Sequence, residues 1–466
     1  MNTRFSKVRG AAMAALMSLP LPLTIYAQGQ PATTQPPSGQ APQQGRNIYR
    51  FSLKEAIDYG SKNSVKVKNA LLDYQIQEQS NRATTSQALP QITGTAGITD
   101  YLQIPITPVP GAFLSPPQSG FIPLKFQTQY TSSGSVTLKQ VLFDGQVFVG
   151  LQARQASLDY YRKSQEVTEQ SLRANIYKVY YQLLLSRIQT ELIDANIAKV
   201  RELLNNTTQM FKNGFAEQLD IDKASVQLTN FESQKLQVNY NIDNGYLGLK
   251  VLMGMPIRDS LVLTDTLTDD MIRDAAMNDA FQYTDRRDYQ LLQINRHLNE
   301  YDIKRYKKEY IPTASFSANY SQNNYGNTLN LFQGNAWFPS TYIALNINIP
   351  IFDGFYKDAN IQKSKYALRQ TENNLEALKI SIDNDVKQAQ LKFNSSLATL
   401  DYEKKNMTLA ESVYNQTRKK FEQGLGSNTE ITSAQADLTQ AQNNYLNALY
   451  NAVVAKVDYQ NSIGKL

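Results

Sequence analysis

The 466-residue sequence predicts a mainly α-helical fold with a membrane β-barrel portion, formed by a tandem-duplicated protomer. Three copies would close a twelve-stranded barrel continued by a long α-helical coiled-coil barrel. Three observations carry that expectation. The first is a repeat: Phe421 to Leu438 (FEQGLGSNTEITSAQADL) matches Phe211 to Leu228 (FKNGFAEQLDIDKASVQL) at a spacing of 210 residues. Phe421 aligns with Phe211, Gly424 with Gly214, Glu430 with Asp220, and Ile431, Ala434 and Leu438 with Ile221, Ala224 and Leu228. A second landmark, Leu142-Phe143-Asp144-Gly145, returns as Ile351-Phe352-Asp353-Gly354 after 209 residues. The second observation is that each half sets one strand-like pair between helix-like segments. The third is length: each pair is followed by roughly 66 proline-free residues, which at ~1.5 Å per residue make a rod of about 100 Å. A compact domain has no use for such a rod.

Taken in order, basic residues up to Arg9, an apolar run from Ala11 to Ile25 broken by Pro20 and Pro22, and small Ala27 predict a signal peptide over residues 1–27. Residues 28–50, rich in Pro, Gln, Gly and Thr, are expected to form a disordered lead. The first repeat, 51–254, opens with a helical pattern from Ser52 to about Leu89, its apolar points Leu53, Ile57, Val65, Leu72 and Ile76, ended by Pro90. Gln91 to Gln103 and Tyr130 to Phe143 alternate approximately and are rich in Thr, Val, Ile and Tyr, which predicts strands. Between them, Pro105, Pro108, Pro110, Pro116, Pro117 and Pro123 predict a long loop. The first rod follows from Gly145 to about Lys212. The Gly214 turn then reverses the chain into a helix from about Leu219 to Met253, stopped by Gly254 and Pro256.

A connector, 255–273, leads to the second repeat, 274–466. Its elements are a helix from about Asp274 to Tyr310 with a candidate break near Thr284, strands at Thr313 to Asn323 and Thr341 to Phe352, a rod from about Tyr356 to Glu422, and a last helix from about Thr429 to Ser462. In each half, two shorter helices stacked end to end would match one rod, so a rod beside a divided partner is expected.

The helical faces suggest how rods assemble. In the last helix Ile431, Ala434, Leu438, Ala441, Tyr445, Ala448, Ala452, Ala455 and Tyr459 keep a coiled-coil spacing, and the first copy keeps it too except at Lys235. On the second rod Leu375, Leu378, Ile382, Val386, Ala389, Phe393, Leu397 and Leu400 approach an eleven-residue repeat, which keeps a helix nearly straight, as a stave must be. Four strands cannot close a barrel, since membrane barrels begin at about eight, so closure needs several chains. Tyr101, Phe126, Tyr130, Tyr320, Tyr325, Trp337, Phe338 and Tyr342 near one set of strand ends, with Phe143 and Phe352 near the other, suggest two interfacial girdles.

Composition narrows the function classes. With no Cys there is neither disulfide nor thiolate metal site, and the lone His297 sits in a polar helical stretch, so no metal is expected. The net charge of +6 becomes +3 without Arg4, Lys7 and Arg9 of the signal peptide, too small to indicate nucleic acid. No phosphate-binding loop or nucleophile elbow appears, and Phe-Asp-Gly stands twice after a strand without other kinase motifs, so no catalytic residue and no cofactor is expected.

The signal peptide, duplicated strand pair and rod, Phe-Asp-Gly junctions and repeated aromatic-x-x-Gly turns together resemble the TolC-like outer membrane efflux protein (outer membrane factor) family. The resemblance implies a homotrimer with a barrel in outer membrane lipid and a helical barrel crossing the periplasm. It implies a passive exit duct of a tripartite efflux or type I secretion system, carrying small molecules or protein, with a periplasmic adaptor (membrane fusion) protein and an inner-membrane pump as partners. It further implies that the turns at Phe211, Gly214, Phe421 and Gly424 form the periplasmic tip where the adaptor docks, and that Asp220 and Glu430 line a constriction there. Phe143, Asp144 and Gly145, with Phe352, Asp353 and Gly354, would be the strand-to-helix junctions. An acid in a helix's first turn is also favoured by the helix dipole alone, so the residues leave both readings of Asp220 and Glu430 open. Some relatives carry an arginine and a further acid where this chain has Gly426 and Ser433, so an arginine latch is not expected to carry over. The alternative from another class is a periplasmic coiled-coil scaffold or adaptor without a pore.

Overall fold

The computed structural model describes residues 47–113, 116, 119–267, 272–273, 281–329 and 337–466. The signal peptide and residues 28–46 of the expected lead lie outside the described residues. The chain runs β1 (Ile48–Phe51), α1 (Leu53–Asn63), α2 (Val65–Ser86), β2 (Gln91–Asp100), β3 (Thr107–Pro110), β4 (Phe121–Leu124), β5 (Tyr130–Phe143), α3 (Gly145–Lys212), α4 (Gln218–Met253) and β6 (Ser260–Leu263). It continues as α5 (Arg287–Lys308), β7 (Thr313–Gly326), β8 (Trp337–Asn348), α6 (Tyr356–Glu422) and α7 (Asn428–Ser462). The rods α3 and α6 hold 68 and 67 residues.

Several expectations are corrected. The helix from Ser52 to Leu89 is two helices, because Ser64 leaves the helical region at ψ 131° where the end of α4 packs against it. Residues 48–50 of the supposed lead are strand, together with Phe51, and so is part of the supposed connector: β1 and β6 pair in parallel, Phe51 opposite Leu263. Buried Tyr180 of α3 ties this collar to the rod, its hydroxyl 3.0 Å from the Phe51 carbonyl oxygen and 3.1 Å from the Asp265 carboxylate. The proline-rich segment contains a two-stranded ribbon, β3 with β4. Pro108 faces Pro123 and Pro110 faces Phe121, while the Gly111 amide donates to Gly120 at 2.7 Å. The prolines thus fall on the pairs that exchange no hydrogen bonds, where a missing N–H costs nothing. The helix expected from Asp274 begins at Arg287, after a single turn at Tyr283–Asp285; residues 274–280 of it lie outside the described residues. Finally, β8 is shifted toward the loop: Trp337 to Ser340 are strand and Ile349 to Phe352 are not. Pro350 blocks extension at one end, and Pro339 is accepted because β8 is an edge strand.

One lateral order runs through every level. The main sheet is antiparallel, in the order β2-β5-β7-β8. Beneath it the helices that enter or leave those strands pack in the same order, α2 on α3, α3 on α5, α5 on α6. Further along the rods the order is α4, α3, α7, α6, so α4 and α7 continue the shorter helices as the divided partners. Leu203 of α3 meets Phe421 and Tyr414 of α6 and Ile431 and Leu438 of α7 in one cluster; Ile193 and Val200 of α3 meet Phe231 and Val238 of α4 in another. The described elements therefore form an open layer, with β2, α2 and α4 along one edge and β8 and α6 along the other.

Candidate functional site: a two-faced sheet and a paired hairpin tip

Registers fix which strand residues share a face, because successive side chains alternate. One face carries Ile92, Leu138, Ala318, Ile343, Phe316 and Leu345 in neighbouring strands. The opposite face carries Thr95, Ser135, Thr137, Asn319, Ser317 and Asn346, which bond across strands: the Thr95 and Ser135 hydroxyls lie 2.7 Å apart, Asn319 donates to Thr137 at 2.8 Å and Asn346 to Ser317 at 3.2 Å. Such a sheet suits lipid on one side and water on the other. Among the described residues no helix is long and apolar enough to cross a membrane.

The register also corrects the girdle. Tyr130 and Trp337 lie on the apolar face at the loop-side strand ends, as an interfacial belt requires, whereas Tyr320 shares that face but lies mid-strand, and Tyr325, Phe338 and Tyr342 alternate onto the polar face. There the rings of Tyr325 and Phe338 approach to 6.1 Å. Tyr101 and Phe126 lie outside the four main strands.

At the first junction Asp144 caps α3, its carboxylate accepting from the amides of Gln146 at 2.8 Å and Val147 at 3.3 Å. Gly145 is needed for closeness: a Cβ there would lie 2.8 Å from the Lys308 carbonyl oxygen. Phe143 stacks obliquely on Phe148 at 5.5 Å. The second junction differs. Gly354 and Phe355 both take left-handed backbone at φ 66°, and Asp353 accepts from the Lys357 amide at 3.1 Å and its ammonium at 3.0 Å. That ammonium bond holds the Asp353 carboxyl below the usual carboxylate range. Phe352 meets Phe355 edge-on at 5.6 Å.

At the far ends of the rods the two turns close alike. Gly214 and Gly424 stand at φ 79° and 73°, and the next residue's amide reaches back to Met210 at 2.8 Å and to Lys420 at 2.9 Å. The aligned residues around them nonetheless differ. Phe421 is buried at 5% exposure between α6, α7 and α3, whereas Phe211 is 41% exposed. Glu430 is exposed, and only its amide is capped, by the Ser427 hydroxyl at 3.2 Å. Asp220 is engaged on both oxygens: one accepts from the Glu217 amide at 3.1 Å, the other from the side-chain amide of Asn428 at 2.8 Å. Asn428 donates to the Asp220 carbonyl as well, at 3.2 Å, and is itself buried. This joint between the two hairpins was invisible in the sequence, where Asn428 aligns with Gln218 as an ordinary first-turn polar residue.

An amphiphilic sheet continuous with two long rods defines an outer-membrane channel stave with a periplasmic extension. The chain belongs to the outer membrane efflux protein family, whose model matches residues 61–255 and 285–465. It is 23% identical to the outer membrane protein TolC of Vibrio cholerae over 345 residues, 72% of this chain and 77% of that protein. It is 20% identical to the outer membrane protein TolC of Escherichia coli over 346 residues, 72% of this chain and 70% of that protein. In fold it is similar to the Campylobacter jejuni CmeC outer membrane channel, with a TM-score of 0.71 at 15% identity over 89% of this chain and 85% of that one. It is similar also to the open state of the Neisseria gonorrhoeae MtrE outer membrane channel, with a TM-score of 0.66 at 14% identity over 88% of each chain. The family is one of channels rather than enzymes.

Proposed function

We propose that three copies of this chain form the exit duct of a tripartite efflux or type I secretion system, passing small molecules or protein outward when a periplasmic adaptor and an inner-membrane pump engage its tip. The observation that carries this reading is the open layer with two unlike edges. Curled into an arc, such a layer is completed head to tail by further copies, and three sets of four strands make a twelve-stranded barrel. Both edge helices are prepared for it. Val226, Leu236, Tyr240, Leu247 and Val251 expose an apolar stripe on α4, and Tyr366, Ile380, Leu391, Tyr402, Leu409 and Val413 expose another on α6. At about 100° per residue each stripe lies opposite its helix's packed seam. A scaffold without a pore has no use for the apolar sheet face.

At the tip, the Asn428–Asp220 joint would hold the two hairpins of a protomer together in the closed duct, with Glu430 the acid left facing water and the Gly214 and Gly424 turns presented to the adaptor. The test is single-channel conductance of the purified trimer in a planar bilayer. Asn428→Ala and Asp220→Ala are each expected to raise a low basal conductance several-fold, and Glu430→Ala to weaken cation preference without opening. A folded, extracted trimer that never conducts would overturn the duct.

A further inference from the structure

We infer that Lys139 gives the barrel lumen a preference for anionic over cationic cargo, three copies forming a single cationic ring near the helix-side end of the strands. The inference rests on the trimeric duct. Lys139 lies on the polar face of β5, opposite Gln91 of β2 and Ser317 of β7, and it is exposed. Along that face every other described strand position is uncharged at neutral pH: Thr131, Ser133, Ser135 and Thr137 precede it on β5, and β7 contributes Ser, Thr, Asn and Tyr.

Closure cannot neutralise the ring. The edges that would meet between copies are β8 and β2, and their polar faces present Phe338, Ser340, Tyr342, Ala344, Asn346 and Asn348 on one side and Gln91, Thr93, Thr95, Gly97 and Thr99 on the other. Whatever register joins them, no carboxylate enters the face. A bore walled by low-dielectric protein and lipid focuses the field of such a ring, and screening over ~8 Å at physiological salt leaves a moderate preference that grows as salt falls. Cargo class would thus be biased here, far from the acidic residues of the tip.

The chain has no cysteine, so Ser317→Cys places one thiol directly across from Lys139. In the extracted trimer at low ionic strength, its modification rates by a sulfonate-bearing and by a trimethylammonium-bearing methanethiosulfonate are compared. The ratio cancels any change in the thiol's own reactivity. Adding Lys139→Gln is expected to lower the anionic-to-cationic ratio about threefold or more, and Lys139→Glu to lower it further. Labelling with an unchanged ratio would overturn the role of Lys139 while leaving the duct intact. A trimer whose thiol reacts with neither reagent would show that this face is not water-filled, and both readings would fall.

Discussion

Gly254 ends α4 with left-handed backbone at φ 72°, and a Cβ built on it would sit 2.3 Å from the Asn63 carbonyl oxygen, where α1 gives way to α2. Gly464, its counterpart 210 residues on, has φ 77° and a Cβ position 2.6 Å from the Asp285 carbonyl oxygen. Backbone cannot swing aside as a side chain can, so alanine at either site meets both strain and collision. Gly424, at φ 73° with nothing within 4 Å of its Cβ position, meets strain alone. Left-handed strain costs an alanine roughly 1–2 kcal/mol. In thermal melts of the detergent-extracted protein, Gly424→Ala should lose about that much, and Gly254→Ala and Gly464→Ala clearly more. Equal losses at all three would mean that the collisions relax freely and that these helix ends are not tightly seated. The same three glycines show what one residue type reveals in sequence. The turns at Gly254 and Gly424 were legible from position alone, but the close approach made at Gly254 and Gly464 was not, because it depends on a neighbour supplied by another part of the chain.

Adjacent residues of β8 separate the two environments of the sheet. Ile343 shares a face with Ala318 and Tyr320's neighbours Thr341 and Val136, and Ala344 faces Ser317 on the other. Arginine on a lipid-facing barrel position costs about 2–4 kcal/mol at mid-membrane, whereas a lumen position leaves it in water. Ile343→Arg should therefore sharply reduce protein recovered as trimer from outer membranes, and Ala344→Arg should not. Reversed yields would invert the assignment of faces. Rods, hairpin turns and strand pairs were legible because 3.6- and 2-residue periods persist over many residues in them. The collar of β1 and β6 was not, since four-residue strands show no period and their pairing joins residues some 210 apart. The misplaced girdle residues have the same origin: aromatic content was visible, but the parity that sends Tyr342 to the polar face appears only once the register is fixed. Lys235, the one break in the first seam, proves to be an ion pair with Asp194 of α3 at 2.6 Å, a partner no heptad count reveals.

Duplication made two similar halves, yet they do not play equal parts in the whole molecule. Of the two returning helices, α7 is wedged between both rods, while α4 packs on only one of them, α3, with its end against α1, and turns its apolar stripe outward. The asymmetry is what a closed ring of identical arcs needs, since one edge must be the complement of the other and neither may satisfy itself. Tyr240 on the α4 stripe is 62% exposed and Tyr402 on the α6 stripe is 72% exposed, so each is free within the protomer and would be buried between copies. Tyr240→Lys and Tyr402→Lys should each leave the protomer's own helices intact by circular dichroism but shift the extracted protein from trimer toward monomer in light scattering, because an unpaired ammonium would have to enter a dry seam. Asn239→Lys puts the same charge one residue away, about 100° round the helix, and should leave the trimer unchanged. Both edges must fail for the head-to-tail reading to stand: if only one substitution disrupted assembly, the stripes would not be each other's partners, and if neither did, the arcs would have to be joined through their strands alone.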